Sequence, residues 1–302
     1  MAVNSSNVPL CWGVDFSSLA ANKSFLIFIC VLNNSAAMSS VFGNLTVIVS
    51  IWRTPSIHSP SFVLISIRCV LDMSIGLFMQ GLCSPVLLLL YVDNLQGFCS
   101  AAGPWLQMGL FINGAILFMV MLTAMDIFSA IKLKLRYRQL VTTRRMIIAV
   151  ILMVLLSAAL SALSVTLPLV EHFLVMTVVV GIALNMTFFF YGLSYNELRR
   201  HQRTVQPCQQ TTTSIAKYRK TFTTLVLILG FLLLCYLPAN LTFLVVAIYG
   251  FTEASIQAVA VCCTLGFMNA SICPFIYFLR FKDIRIASKH IFQNIFPCFG
   301  GG

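Results

Sequence analysis

Arg68 and Asp72 stand four positions apart inside a long apolar run. On a helix that spacing puts both side chains on one face. At membrane depth each charge is costly unless the other answers it. The chemistry on offer is therefore an internal ion pair. A further acid, Asp126, lies near the end of another apolar run, just ahead of Ile127 and Phe128. Pro238 and Pro274 each remove a backbone donor from a run that is otherwise helix-forming, beside Tyr236 and Tyr277, which is the material of a hinge. Catalysis finds little to work with. His58, His172, His201 and His290 fall in loops or tails, no two carboxylates share a span, and the cysteines show no paired CxxC spacing. Neither an enzyme nor a zinc or redox framework is expected, and no cofactor.

The elements that position these residues follow from composition. Of 302 residues, 59% are hydrophobic and 9% charged, against about 45–50% and about 25% in a soluble domain. The chain divides into runs of the roughly 20 apolar residues that cross a bilayer, near 24–52, 61–91, 99–131, 146–169, 173–198, 218–249 and 254–279. The stretch 146–198 is one apolar run, but Arg144-Arg145 and Arg199-Arg200 flank it. Basic flanks stay cytoplasmic, so the chain crosses twice and turns back near Glu171-His172. Seventeen of the 19 Lys and Arg residues fall on one side; Lys23 lies on the other and Arg68 within a span. That asymmetry puts the amino terminus outside and the carboxyl terminus inside. The expected architecture is an all-α membrane protein, a seven-transmembrane helix bundle at 24–280. An extracellular tail at 1–23 precedes it, and an amphipathic eighth helix and cytoplasmic tail at 281–302 follow.

The net charge of +11 does not signal nucleic-acid binding, because it sits in short segments between apolar runs; membrane lipids are its natural partners. Asn4 and Asn22 head Asn-x-Ser sequons in the outside tail and are expected glycosylation sites. The Asn44, Asn185 and Asn269 sequons lie at membrane depth, and Asn33 and Asn240 stand near the outer boundary. Cys298, at the end of the amphipathic stretch, is a palmitoylation candidate. An odd span count and single-copy motifs argue against the repeated halves of a transporter, which stays the alternative from another class.

Several motifs fall on successive spans in an order similar to that of rhodopsin-like (class A) G-protein-coupled receptors, from about Asn44 to Lys289. Gly43-Asn44-Leu45-Thr46-Val47 resembles their Gly-Asn-x-x-Val, and Asp72 the carboxylate of Leu-Ala-x-x-Asp, with Arg68 in place of the Leu. Leu135-Arg136-Tyr137 with Val141-Thr142-Thr143-Arg144-Arg145 resembles the second inner loop of the melanocortin, adenosine and cannabinoid group. Tyr191 and Tyr195 resemble the inner end of the fifth helix. Cys235-Tyr236-Leu237-Pro238 is similar to Cys-Trp-x-Pro, and Asn269 through Cys273, Pro274 and Tyr277 to Asn-x-x-x-Asn-Pro-x-x-Tyr. His58-Ser59-Pro60-Ser61-Phe62 resembles the His-Thr-Pro-Met-Tyr of odorant receptors, a chemosensory hint.

The resemblance implies a receptor that carries an extracellular ligand's signal across the plasma membrane to a heterotrimeric G protein or arrestin. The sixth helix would swing at Pro238, with ligand selecting one packing. In that family the carboxylate at Asp72 holds sodium. Here Arg68 competes for it, Cys273 replaces an Asn and Ile116 a Ser, so Asp72 is expected to pair with Arg68 and bind no sodium. Where the family has Asp-Arg-Tyr this chain has Asp126-Ile127-Phe128. Either a diverged receptor still couples through its loops, or its G-protein signalling is weak, constitutive or absent. The second outer loop is nearly absent and lacks Cys; Cys99 either bridges to Cys11 or is a free thiol. Residues 105–118 hold no amine-binding carboxylate and the seventh span no Lys. What remains is an apolar pocket with Gln107, Asn113, Asn185 and Tyr236 as its polar points, suited to a lipid or small apolar ligand, or to a peptide held from outside. Each of these residues equally suits plain helix packing.

Overall fold

The computed structural model describes residues 11–54, 60–133, 136–205 and 212–295. Asn4 and Cys298 lie outside the described residues. Among the described residues the regular elements are helices, and seven of them are long and apolar enough to cross a membrane: Lys23–Trp52, Ser61–Tyr91, Leu95–Leu133, Thr143–Leu163, Val170–Arg200, Gly230–Tyr249 and Glu253–Arg280. We number these the first to seventh spans. Their alternation defines two faces of the bundle. A tail face carries residues 11–22 and the turns near 93, 166 and 250. A basic face carries the opposite connections and the terminal helix Lys282–Ile295.

Lipid leaves no water to satisfy a free backbone group, so the ends of these helices are where the sequence must supply partners. Asn22 caps the first span by accepting from Phe25 N at 3.2 Å. Thr142 caps the fourth in the same way through Arg145 N, at 3.4 Å. Thr252 and Ser255 cap each other reciprocally at the start of the seventh, at 3.2 and 2.8 Å. The sixth span ends on Gly250, whose φ of +77° is open to glycine at little cost. Between the fourth and fifth spans the chain turns at 165–168, and the next helix begins at Leu169. The turn therefore comes earlier than the expected Glu171-His172, because Pro168 cannot continue a helix and is tolerated just before one.

The third span is central and packs on the second, fourth and fifth; the sixth bridges fifth and seventh, and the seventh closes the ring on the first. Residue placement inverts that of a soluble protein. Ile147, Leu152, Leu156, Ile182 and Phe189 face outward, while Asn33, Asn44, Arg68, Asp72, Gln80 and Ser271 are buried. With lipid as solvent, apolar contact gives no preference for the inside, and polar groups seek each other across helices. The terminal helix fits the expected amphipathic eighth helix. It buries Ile284 and Ile291, exposes Lys282, Arg285 and Lys289, and anchors to the first span through Ser288 Oγ and Ser50 Oγ at 2.8 Å.

The second span carries a π-helical turn at Ile75–Gln80, followed by a short break before Cys83–Tyr91. Pro85 has no N–H to offer the preceding turn, and the widened turn lets Trp105 Nε1 of the third span donate to Phe78 O at 3.1 Å. The first and seventh spans approach closely at Gly43, where an added Cβ would stand 2.9 Å from the ring of Pro274. A pyrrolidine ring cannot swing away. Gly43→Ala is expected to cost about 1–3 kcal/mol as overpacking, read as a lowered melting temperature of the purified chain; an unchanged midpoint would mean the two helices separate freely there.

Candidate functional site

The polar core begins at Arg68 and Asp72. Arg68 Nε donates to both Oδ1 and Oδ2 of Asp72, each at 2.9 Å. Asp72 is fully buried and Arg68 nearly so. One helix face thus supplies a charge and its answer, as the spacing requires. The pair reaches outward through its flanks. Arg68 Nη2 approaches Cys273 Sγ at 3.7 Å, and that thiol approaches Asn269 Oδ1 at 3.8 Å. Ser40 Oγ donates to Asp72 O at 2.7 Å. Asn44 Nδ2 donates to Ser40 O at 2.7 Å and to Ala270 O at 3.0 Å. Four motif residues from the first, second and seventh spans are brought together here: Asn44, Asp72, Asn269 and Cys273.

The stitching continues toward the tail face. Gln80 Nε2 donates to Phe267 O at 3.3 Å and Ser271 Oγ at 3.2 Å. Ser271 Oγ donates to Ala36 O at 2.9 Å, and Asn33 Nδ2 to Thr264 Oγ1 at 3.1 Å. Asn33 is therefore buried within the bundle, where no glycan could be attached. Gln80 and Ser271 escape notice in the sequence, although a lone Gln in an apolar run is the one signal that could have pointed to it.

The fifth and sixth spans are held differently. Thr187, Ser194 and Thr242 return their hydroxyls to their own helices, at Ala183 O, Phe190 O and Pro238 O, and Thr242 Oγ1 also meets Cys262 Sγ of the seventh span at 3.3 Å. Between these spans and the third lies an apolar cluster of Ile112, Ile116, Val180, Leu184, Leu232 and Tyr236. Trp105 and Phe267 meet edge to face on its tail side, with ring centroids 6.5 Å apart. Pro274 is buried against Gly43, and Tyr277 packs with Val47, Ile48, Ile51 and Cys69. Pro238 lies within the sixth helix.

At the basic face Asp126 is buried and accepts two hydrogen bonds, from Ser61 Oγ at 2.8 Å and from the hydroxyl of Tyr137. Tyr137 sits in the connection between the third and fourth spans. Burial, and then the bond to Asp126, push its hydroxyl up to about 12, so it stays a donor through the physiological range. Ile127, where the resemblance implies an Arg, makes apolar contact with the Tyr191 and Ala124 cluster. Phe128 stacks near Phe190, with Lys132 Nζ 5.3 Å from its ring centroid.

The polar residues expected to line a ligand pocket do not converge. Gln107 is engaged by Ser161 Oγ through its carbonyl at 3.1 Å and its Oε1 at 3.2 Å, a staple between third and fourth spans. Asn113 Nδ2 donates to Gly109 O of its own helix at 2.8 Å. Asn185 is exposed on the outer side of the fifth span and bonds Gly181 O at 2.7 Å. Only Tyr236 lies in the apolar cluster.

Among the described residues no group of three or more His, Cys, Asp or Glu could hold a metal. The arrangement at Asp72 does not fit the sodium ion that the resemblance implies. Both carboxylate oxygens already accept from Arg68, and the side chain that meets the pair from the seventh span is the thiol of Cys273, a poor ligand for sodium. Replacing sodium chloride with choline chloride is expected to leave the melting temperature of the purified chain unchanged. A stabilisation specific to sodium that Asp72→Asn abolishes would show that the carboxylate is free of Arg68.

No family model matches the chain. It is similar to cannabinoid receptor 2 of Mus musculus, with 28% identity over 189 residues, which is 57% of this chain and 54% of the receptor. The chain thus aligns with about half the length of the curated relative it matches. That relative is a receptor rather than an enzyme, and together with the seven apolar helices the similarity supports a receptor-like membrane protein.

Proposed function

We propose that the chain is a rhodopsin-like G-protein-coupled receptor of the plasma membrane, with its tail face outside and its basic face toward the cytoplasm. The observation that carries this reading is the unequal way the two parts of the bundle are joined. Hydrogen bonds cross between the first, second and seventh spans through most of their depth, each worth about 0.6–2 kcal/mol. The fifth and sixth spans meet the third through apolar packing, a single hydroxyl–thiol contact of Thr242 Oγ1 with Cys262 Sγ at 3.3 Å reaches from the sixth to the seventh, and Pro238 interrupts the sixth. A bundle so divided has one fixed part and one that can pivot, which is what a two-state transmembrane switch needs. Asn44, Arg68, Asp72, Asn269, Cys273, Pro274 and Tyr277 belong to the fixed part; Tyr191, Tyr236 and Pro238 belong to the pivoting one.

The ligand on this reading is small and apolar, held among Ile112, Trp105, Val180, Leu184, Tyr236 and Phe267. These side chains are apolar apart from the Tyr236 hydroxyl and the Trp105 indole N–H, and the matched relative is named for cannabinoids. Coupling to a G protein is weakened in this chain. The third span offers Ile127 where a cation would meet the partner, and Asp126 is instead tied to Ser61 and Tyr137. Arrestin is the second partner that this reading carries, and the sensors compare the two.

A screen of lipid-like and small apolar compounds on intact cells, read by G-protein and arrestin sensors together, tests the reading. An active compound is expected to give a stronger arrestin than G-protein response, and Ile127→Arg to raise the stimulated G-protein signal. Solute uptake by vesicles, without any sensor response, would make the chain a transporter instead. The orientation has its own check. Asn22 is exposed at the start of the first span, so a glycosidase-sensitive mass shift is expected on the cell-surface protein. Asn22→Gln should remove the share of that shift that Asn4 does not carry, and a protein that bears no glycan at either site would count against the outside tail.

A further inference from the structure

Residues 11–22 do not trail from the bundle; they are folded onto it. Cys11 and Val14 pair across a tight turn in which Trp12 and Gly13 take φ of 52° and 80°. Trp12 lies against Gly103 of the third span, where an added Cβ would stand 3.2 Å from its ring. A short helix, Ser17–Ala21, follows and leads into the Asn22 cap. The buried side of this segment, Cys11, Val14 and Leu19, joins one apolar cluster with Leu26, Val86, Leu90, Phe98, Ala102 and Ile256. Those six residues come from the first, second, third and seventh spans. Phe16 meets Phe98 edge to face at 5.3 Å. The segment therefore covers the ends of four spans at once. Lys23, at its foot, pairs with Asp93 at 2.7 Å.

One covalent link fixes the cover, the disulfide between Cys11 and Cys99, 88 residues apart in sequence. The remaining contacts are a few apolar side chains, of the kind that open locally at modest cost. The two sulfurs are not equally reachable: Cys11 is 1% exposed, while Cys99 is only half-buried. We propose that residues 11–22 are a lid over the tail face of the bundle and that the Cys11–Cys99 disulfide is its latch, opened by a dithiol. One thiolate of the dithiol attacks Cys99 Sγ. The S–S bond breaks, and its electron pair leaves on Cys11 Sγ, which takes a proton. The second thiol of the dithiol then resolves the mixed disulfide. Cys99 is released as a thiol and the dithiol departs as a disulfide. The lid is then held by packing alone, and the face beneath it opens to solvent. This inference does not rest on the receptor reading, although in a receptor the lid would govern entry to the apolar cluster below Trp105.

The test places a reporter under the lid, on a span that the latch does not touch. Ile256 is buried in the same cluster but belongs to the seventh span. In an Ile256→Cys variant of the full chain, modification by a membrane-impermeant thiol reagent is followed at that residue by peptide mass spectrometry. Three states are compared: latch intact, latch removed by Cys11→Ser with Cys99→Ser, and a chain lacking residues 1–21. Modification is expected to be slow with the latch intact and several-fold faster without it, approaching the rate of the shortened chain. Should the serine variant fold poorly, the folded Ile256→Cys protein is treated with dithiothreitol, freed of it and then labelled, with the same acceleration expected. Acceleration only in the shortened chain would show that packing and not the disulfide holds the lid. Equal rates in all three would show that the segment covers nothing.

Discussion

A guanidinium and a carboxylate buried in a membrane span set the terms for the rest of this molecule. Each alone would be driven out of the bundle or would empty it of stability, because an uncompensated charge in low dielectric costs several kcal/mol even after relaxation. Together, on one face of one helix, Arg68 and Asp72 cancel. The pair still has dipoles and unspent donors and acceptors, and these recruit polar neighbours. Cys273, Asn269, Ser40 and Asn44 surround it, and through them the first and seventh spans are fastened to the second. A bundle whose solvent is lipid gains little from apolar contact between helices, so this polar seam decides which helices stay together.

What the seam leaves out is as informative. Thr187, Ser194 and Thr242 of the fifth and sixth spans turn back on their own carbonyls, and only Thr242 among these three also reaches another span, at Cys262 Sγ. The grip of the fifth and sixth spans on the third is the close packing of Ile116, Val180, Leu184, Leu232 and Tyr236. Packed apolar surfaces can exchange one arrangement for another without leaving a buried polar group unpaired. At the basic face, Asp126 has lost the neighbouring cation that the motif order leads one to expect, and its lone pairs are answered by Ser61 and Tyr137 from two other segments. The third span is thereby tied to the second and to its own following loop, while Ile127 is released to pack against Tyr191.

Much of this was legible before any coordinates. The spans show as apolar runs, their number follows from those runs and their basic flanks, and the Arg68–Asp72 pair follows from a spacing of four. The less legible features depend on neighbours that the sequence does not place together. Asp126 finds Tyr137 and Ser61 only because three segments converge at one end of the bundle. Asn185 faces outward because Ala183, Leu184 and Thr187 face in, and each residue turns the helix by about 100°; a polar residue's presence on a span says nothing about which way it points. The π-helical turn at 75–80, where Trp105 donates to Phe78 O, is not registered by periodicity alone. The link from Cys11 to Cys99 was one of two readings, and the folded tail decides between them.

The dependence of the bundle on its buried pair is open to a direct measurement, a double-mutant cycle on thermal unfolding of the purified chain with Arg68→Leu, Asp72→Leu and both together. Each single change strands a charge and should cost about 3–5 kcal/mol, while the double change, which strands none, should recover most of that loss. Single losses that merely add in the double variant would mean that the two side chains do not sense each other, and that some other contact holds the first, second and seventh spans in place.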